Sequence, residues 1–289
     1  MSALLDPAFV RRLAKLAVVA RRRFAGASAG ARRSTRRGSS AELADHRPYA
    51  PGDDVRRIDW NAYARLEELV LRLFVAEEDL SVYLLVDASA SLAFGEPPKI
   101  ETAKRVAAGL GYVALHGSDR VSVWPFADAG ARLAMPPARG KKQVGRLLRA
   151  LEAIEPLGET DLARAVDALL ARRPRPGLVP VISDFLDPAG FARPLDRLLA
   201  ERHEPVLFHV VDPEELDPRP GGDLVLVDAE RRRELEVTID ERTVRAYRAR
   251  VAAFLAELEG YAKRRGLSYV RVSTGADFED ALLGYLRAA

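Results

Sequence analysis

The chain has 289 residues, 48% apolar and 30% charged, which suits one large globular domain with or without a small appended module and excludes a disordered chain. No cysteine is present, so disulfides, thiolate zinc sites and a cysteine nucleophile are excluded, and the four scattered histidines offer no zinc pair at helical spacing. The net charge of +3 is uneven: Arg11, Arg12, Lys15, Arg21, Arg22, Arg23, Arg32, Arg33, Arg36 and Arg37 face the single acid Asp6, and the remainder is net acidic.

Phe9, Leu13, Leu16, Ala20 and Phe24 recur at three- and four-residue steps and predict a helix over Asp6–Phe24, with Asp6-Pro7 as cap and first turn. Along the sequence its apolar residues are interrupted by Arg11, Arg12 and Lys15, so it is no signal peptide, and no stretch reaches the roughly 20 apolar residues of a membrane span. A soluble, cytoplasmic protein is expected. Ala25–Ser40, rich in Gly, Ser, Ala and Arg, reads as a basic loop. Ala41–Glu78 reads as a small β-rich segment, with a turn at Pro51–Asp54 and a strand at Leu69–Ala76.

From Leu80 the pattern alternates. Strands are predicted at Ser81–Val86, Arg120–Phe126, Leu178–Ser183, Pro205–Val211 and Ser268–Val272, with an antiparallel edge return over Ala131–Met135. Helices are predicted at Pro98–His116, Lys141–Ile154, Asp161–Arg172, Pro188–Arg202, Thr243–Arg265 and Asp277–Arg287, and a hairpin at Leu224–Val227 with Arg233–Val237. Together these predict an α/β fold with a mostly parallel sheet covered by helices on both faces. The expected division is residues 1–78 as the N-terminal segment and 79–289 as the α/β domain.

Ligands of such sheets bind at the carboxyl ends of the strands. Two apolar strands here run into aspartate, Val82–Val86 into Asp87 and Val179–Ser183 into Asp184. Asp87 opens the run Asp87-Ala88-Ser89-Ala90-Ser91, and a third loop, Gly158-Glu159-Thr160-Asp161, joins two helices. Taken singly, the serine run reads equally as a helix-capping turn, and Thr160 or Asp184 as a cap. Their conjunction resembles the metal-ion-dependent adhesion site of von Willebrand factor type A domains, whose pattern is Asp-x-Ser-x-Ser, a distant Thr and a distant strand-end Asp. The resemblance implies a von Willebrand factor A-like, Rossmann-type domain. It also implies that Asp87, Ser89, Ser91, Thr160 and Asp184 hold Mg²⁺ or Mn²⁺. Hard cations take oxygen ligands at about 2.0–2.1 Å, and neutral hydroxyls leave the ion short of negative charge, so a partner's Asp or Glu could complete it.

Upstream, Arg47-Pro48-Tyr49-Ala50-Pro51-Gly52-Asp53-Asp54-Val55-Arg56-Arg57-Ile58-Asp59-Trp60 resembles the signature of the bacterial family called domain of unknown function 58. Leu43 and Leu92 stand where that family usually has Phe and Met, and the transmembrane pair of its longer members has no counterpart in this sequence. The resemblance implies a non-enzymatic adaptor or chaperone-like partner of a MoxR-type AAA+ ATPase. Bottom-up, Arg47, Tyr49, Asp53, Asp54, Arg56, Asp59 and Trp60 form either a salt-linked cap anchored by Trp60 or a second docking surface.

Other chemistries find less support. Gly26–Gly30 fits G-x-S-x-G but follows Arg21–Arg23 rather than an apolar strand, and no phosphate-binding glycine motif occurs. A metal-dependent phosphohydrolase using Asp87 lacks a second acid, because Ser89 stands in its place. Nucleic-acid or membrane-surface binding through the basic N-terminus lacks aromatic interleaving for base stacking.

Overall fold

The computed structural model describes residues 4–14, 43–50, 53–74, 80–219, 221–231, 233–274 and 278–287. The expected basic loop, the G-x-S-x-G run and the distal part of the first helix lie outside the described residues. Two compact units emerge, residues 25–79 and residues 1–24 together with 80–289.

This corrects the expected division at residue 78. The helix α1, residues 7–14, is capped by Asp6, whose Oδ1 accepts from the amide of Ala8 at 2.8 Å. Its stripe of Phe9 and Leu13 is fully buried in the core of the larger unit. Amphipathicity shows that a helix has a covered face but not which neighbour covers it.

In the smaller unit β1 (Leu43–Pro48) pairs antiparallel with β2 (Val70–Phe74), and α2 (Trp60–Leu66) lies between them in sequence. The sequence gives no sign of β1 or α2. Seven-residue α2 buries no residue, and two turns are too short for a helical period to stand out.

The larger unit holds a sheet ordered β11–β8–β7–β3–β4–β5, with β6 also on β4. Its strands are β3 (Ser81–Asp87), β4 (Arg120–Ala127), β5 (Gly130–Ala131), β6 (Met135–Arg139), β7 (Leu178–Ser183), β8 (Glu204–Val211) and β11 (Ser268–Ser273). Pairings among β3, β4, β7, β8 and β11 are parallel. The edge return predicted at Ala131–Met135 divides into β5 and β6, both antiparallel to β4. Exposed Pro136 and Pro137 fall in β6. The hairpin β9 (Gly222–Val227) and β10 (Glu234–Ile239) forms its own two-stranded sheet.

Helices α3 (Lys99–His116), α4 (Val144–Glu152) and α9 (Phe278–Arg287) join α1 on one face, while α5 (Leu162–Leu170), α6 (Ala192–Ala200) and α8 (Glu241–Arg265) cover the other. A short α7 (Pro213–Leu216) follows β8. The two-residue period of β3 divides its side chains between these layers: Val82, Leu84 and Val86 face the first, Tyr83 and Leu85 the second. Each such fully buried aliphatic side chain contributes about 1.5–3 kcal/mol.

Strand β7 enters the sheet through Gly177. A Cβ there would fall 2.2 Å from the carbonyl oxygen of Ser81, a backbone atom of β3. Gly177→Ala should therefore force the two strands apart and cost about 1–3 kcal/mol, read as a lower urea midpoint with unchanged slope.

The chain runs from β3 to β4 on one side and later returns to β7 on the other. The strand order thus reverses between β3 and β7, the place where open sheets of this kind bind ligands.

Candidate metal and docking site

Asp87 is the last residue of β3, and Asp184 follows the last residue of β7, so both carboxylates lie at this reversal. Both are buried. The chain leaves Asp87 into a 3-10 turn, Ala90–Ala93, fixed by fully buried Leu92. Ser89 precedes that turn, yet its hydroxyl makes no cap hydrogen bond and is left for other partners. The loop carrying Thr160 is laced to this segment by backbone bonds from Ala90 to Gly158, 2.9 Å, and from Leu157 to Ala88, 2.7 Å. Asp187 ties the third loop in, accepting the amide of Leu162 at 2.9 Å.

A continuous chain of polar atoms results. Asp87 Oδ1 accepts from the Ser89 amide at 2.9 Å, and Ser183 Oγ donates to Asp87 Oδ2. The hydroxyls of Ser89 and Ser91 are 3.0 Å apart, and Ser91 Oγ donates to Asp184 Oδ2 at 2.8 Å. Four of the five residues predicted from the sequence are therefore joined directly. Thr160 is held beside them by its loop. It is not the cap of α5, because Asp161 takes that role by accepting from the Arg164 amide, which leaves the Thr160 hydroxyl to donate to Glu230 Oε1 at 2.8 Å.

Sequence reasoning missed Lys99. It is the first residue of α3, its side chain has no exposed surface, and its Nζ lies 2.8 Å from Asp184 Oδ2 and 2.6 Å from Glu215 Oε1. Burial alone would lower its pKa, but the two carboxylates outweigh burial and hold it above the ordinary lysine value. A signal was present, since a lysine at a helix N-terminus opposes the macrodipole and calls for anionic neighbours. Ser183 was missed as well, though it immediately precedes Asp184. Phe185, just beyond, has φ of +57° and is buried against Phe191 and His209. A left-handed non-glycine residue costs about 1–3 kcal/mol and persists where packing fixes it.

Charge at the site is only partly balanced. Lys99 faces Asp184 and Glu215, whereas among the described residues Asp87 has hydrogen bonds but no cation. Burial first, and the like charge of Asp184 second, push the Asp87 carboxyl up to about 7, against bonds from Ser183 and Ser89 that pull it down. Burial holds His209 down at about 4, so its imidazole brings no positive charge at neutral pH. Among the described residues no three His, Cys, Asp or Glu side chains cluster as a metal site. The donors are two carboxylates and three hydroxyls, all oxygen, which fits a hard divalent cation and not a softer one.

At the second candidate surface the acids serve the backbone. Asp53 closes a turn by accepting the Ala50 amide at 2.9 Å, Asp54 caps the Val55–Arg57 turn, and Asp59 caps α2 through the amides of Asn61 and Ala62. Trp60 is 59% exposed and meets Tyr63 edge-on at 6.2 Å. Arg56 is exposed and Tyr49 half-buried, and Arg47 falls in β1.

The family described as "Protein of unknown function DUF58" matches residues 45–257. The chain belongs to the DUF58 family. This DUF58 protein is 34% identical over 259 residues to the uncharacterized protein Rv1480 of Mycobacterium tuberculosis, a match spanning 86% of this chain and 81% of that one. It is similar to the solved structure of BatB, a conserved hypothetical protein from Bacteroides thetaiotaomicron, with a TM-score of 0.46 and 17% identity, over 73% of this chain and all of that one. It is also similar to a von Willebrand factor type A structure from Catenulispora acidiphila, with a TM-score of 0.44 and 12% identity, over 74% of this chain and 42% of that one. The DUF58 protein has an α/β unit built on a mostly parallel sheet, with the small antiparallel unit before that sheet in its sequence.

Proposed function

We propose that this DUF58 protein is a non-enzymatic, cytoplasmic interaction protein that docks an acidic residue of a partner through Mg²⁺ or Mn²⁺. The observation that carries this reading is the unbroken polar chain from Asp87 through Ser89 and Ser91 to Asp184 at the strand-order reversal. When bound, the ion would supply positive charge and an open position for a carboxylate. Asp87, Asp184, Ser89, Ser91 and Thr160 would hold it from the protein side. Burial of Asp87, with both oxygens accepting hydrogen bonds, speaks against a phosphoryl-accepting nucleophile and for a structural ligand. No helix among the described residues is long and apolar enough to cross a membrane. The resemblance around Arg47–Trp60 supports a MoxR-type AAA+ ATPase as the partner.

Titration calorimetry with Mg²⁺ and Mn²⁺, followed by capture of a purified MoxR-type ATPase in Mg²⁺ or EDTA, tests the reading. Wild type should bind the ion and capture the ATPase only in its presence, and Asp87→Ala should do neither. Equal capture in EDTA, or by a folded Asp87→Ala protein, would overturn it.

A further inference from the structure

The hairpin of β9 and β10 stands apart from the main sheet, and every residue from Gly222 to Ala229 is exposed. Glu230 at its tip is half-buried. The tip is shaped by Asp228, which accepts the amides of Glu230 at 2.9 Å and Arg231 at 3.0 Å. That turn carries both side chains to the loop of the candidate metal site. Glu230 Oε1 accepts from the Thr160 hydroxyl at 2.8 Å, and Arg231 meets Glu159 Oε2 through both Nε and a terminal nitrogen at 3.0 Å. Two consecutive tip residues thus grip two consecutive loop residues.

We infer that Glu230 is an internal ligand of the site: the hairpin tip presents the chain's own carboxylate where a partner's acidic residue would dock. This rests on the docking reading above and adds its regulation. A threonine hydroxyl can give its proton to a carboxylate while its oxygen lone pairs remain for a cation, so the contact with Thr160 is compatible with ion binding. Glu230 then competes with every incoming acid, and the site is open only when the tip has left.

The hairpin is suited to leaving. An isolated two-stranded ribbon is marginal by itself, and this one buries no strand residue. Side chains of the Arg231–Glu159 pair are 39% and 43% exposed, so water and salt weaken it. Release of the tip uncovers no core.

The test uses Mn²⁺ as its probe, with water-proton relaxation reporting exchangeable waters on the bound ion. In the full chain, Glu230→Gln should raise relaxation per bound ion clearly above wild type, because a water takes the position that Glu230 vacates. Arg231→Ala, which leaves Glu230 in place but frees the tip, should move the signal the same way. Manganese bound by all three proteins with unchanged relaxation would overturn the internal ligand and leave the metal reading standing. Manganese uptake no greater than that of Asp87→Ala in wild type and both variants would overturn the metal reading, and the inference with it.

Discussion

Lys99→Met should destabilise the protein by about 3–5 kcal/mol in EDTA, the cost of removing one partner from a buried ion pair. Methionine keeps the length of the aliphatic stem, so little packing is lost and the effect reports charge. Asp184 and Glu215, buried and half-buried, would both lose their cation. Burial already pushes the Glu215 carboxyl up despite Lys99, and without Lys99 only the hydrogen bond from the Asp212 amide would oppose it. At about 2–4 °C per kcal/mol the melting temperature should fall by roughly 6–20 °C. Adding Glu215→Gln to Lys99→Met should cost less than the two single changes summed, because the double variant has fewer uncompensated charges. Mg²⁺ should restore more stability to Lys99→Met than to wild type, since an ion replaces the missing positive charge. A variant that melts with wild type would show that the ammonium contributes nothing to holding the loops.

The second large effect is expected at Asp87, where ion binding and stability should move in opposite directions. Asn at 87 keeps an acceptor oxygen for the Ser89 amide and turns the other position into an NH2 donor towards the Ser183 hydroxyl oxygen, without charge. In EDTA the wild-type carboxyl titrates at about 7 in the folded protein against an ordinary 3.8. Because the folded value is the higher one, the neutral acid favours folding: that contribution is complete below about pH 4 and is lost as pH rises through 7. The interval corresponds to roughly 4 kcal/mol, an upper bound for a site that can relax. Asp87→Asn should not suffer this loss, so in EDTA at pH 8 it should be more stable than wild type, by on the order of 1–4 kcal/mol. With Mg²⁺ the order should reverse, because only the wild type gains from the ion. Since the ion displaces a proton from Asp87, its affinity for wild type should rise between pH 6 and 8. Denaturant curves at pH 5 and 8, with Mg²⁺ or EDTA, read all of this. Equal stability of the two proteins in EDTA at pH 8 would show that Asp87 carries no burial penalty.

Most of the larger unit was legible because its signals are local. Strand β3 is buried on both faces and reads as an unbroken apolar run. Helix α8 announces both ends, with Asp240 accepting from the Thr243 amide and Gly266 at φ of +67°. Asp87 and Asp184 were readable because each ends such a run. What could not be read is pairing across sequence distance. Lys99 reaches Asp184 over 85 residues and Glu215 over 116, and Thr160 reaches Glu230 over 70. No periodicity records these contacts, and the fold alone brings them together. The cap of α5 was a different ambiguity: Thr160 and Asp161 are both good caps, and geometry decided for the second. Trp60 misled because aromatic size suggests an anchor, while it is exposed on a seven-residue helix that buries no residue.

The adjacent prolines of β6 limit how this molecule can aggregate or self-assemble. Alternate residues of a strand direct their amides to opposite sides, so two prolines in succession remove a hydrogen-bond donor on each side. A foreign strand approaching that margin meets a row with a missing donor and two exposed rings, the kind of gatekeeping that blunts open sheet margins. Lateral zippering of copies along β6 is thereby disfavoured.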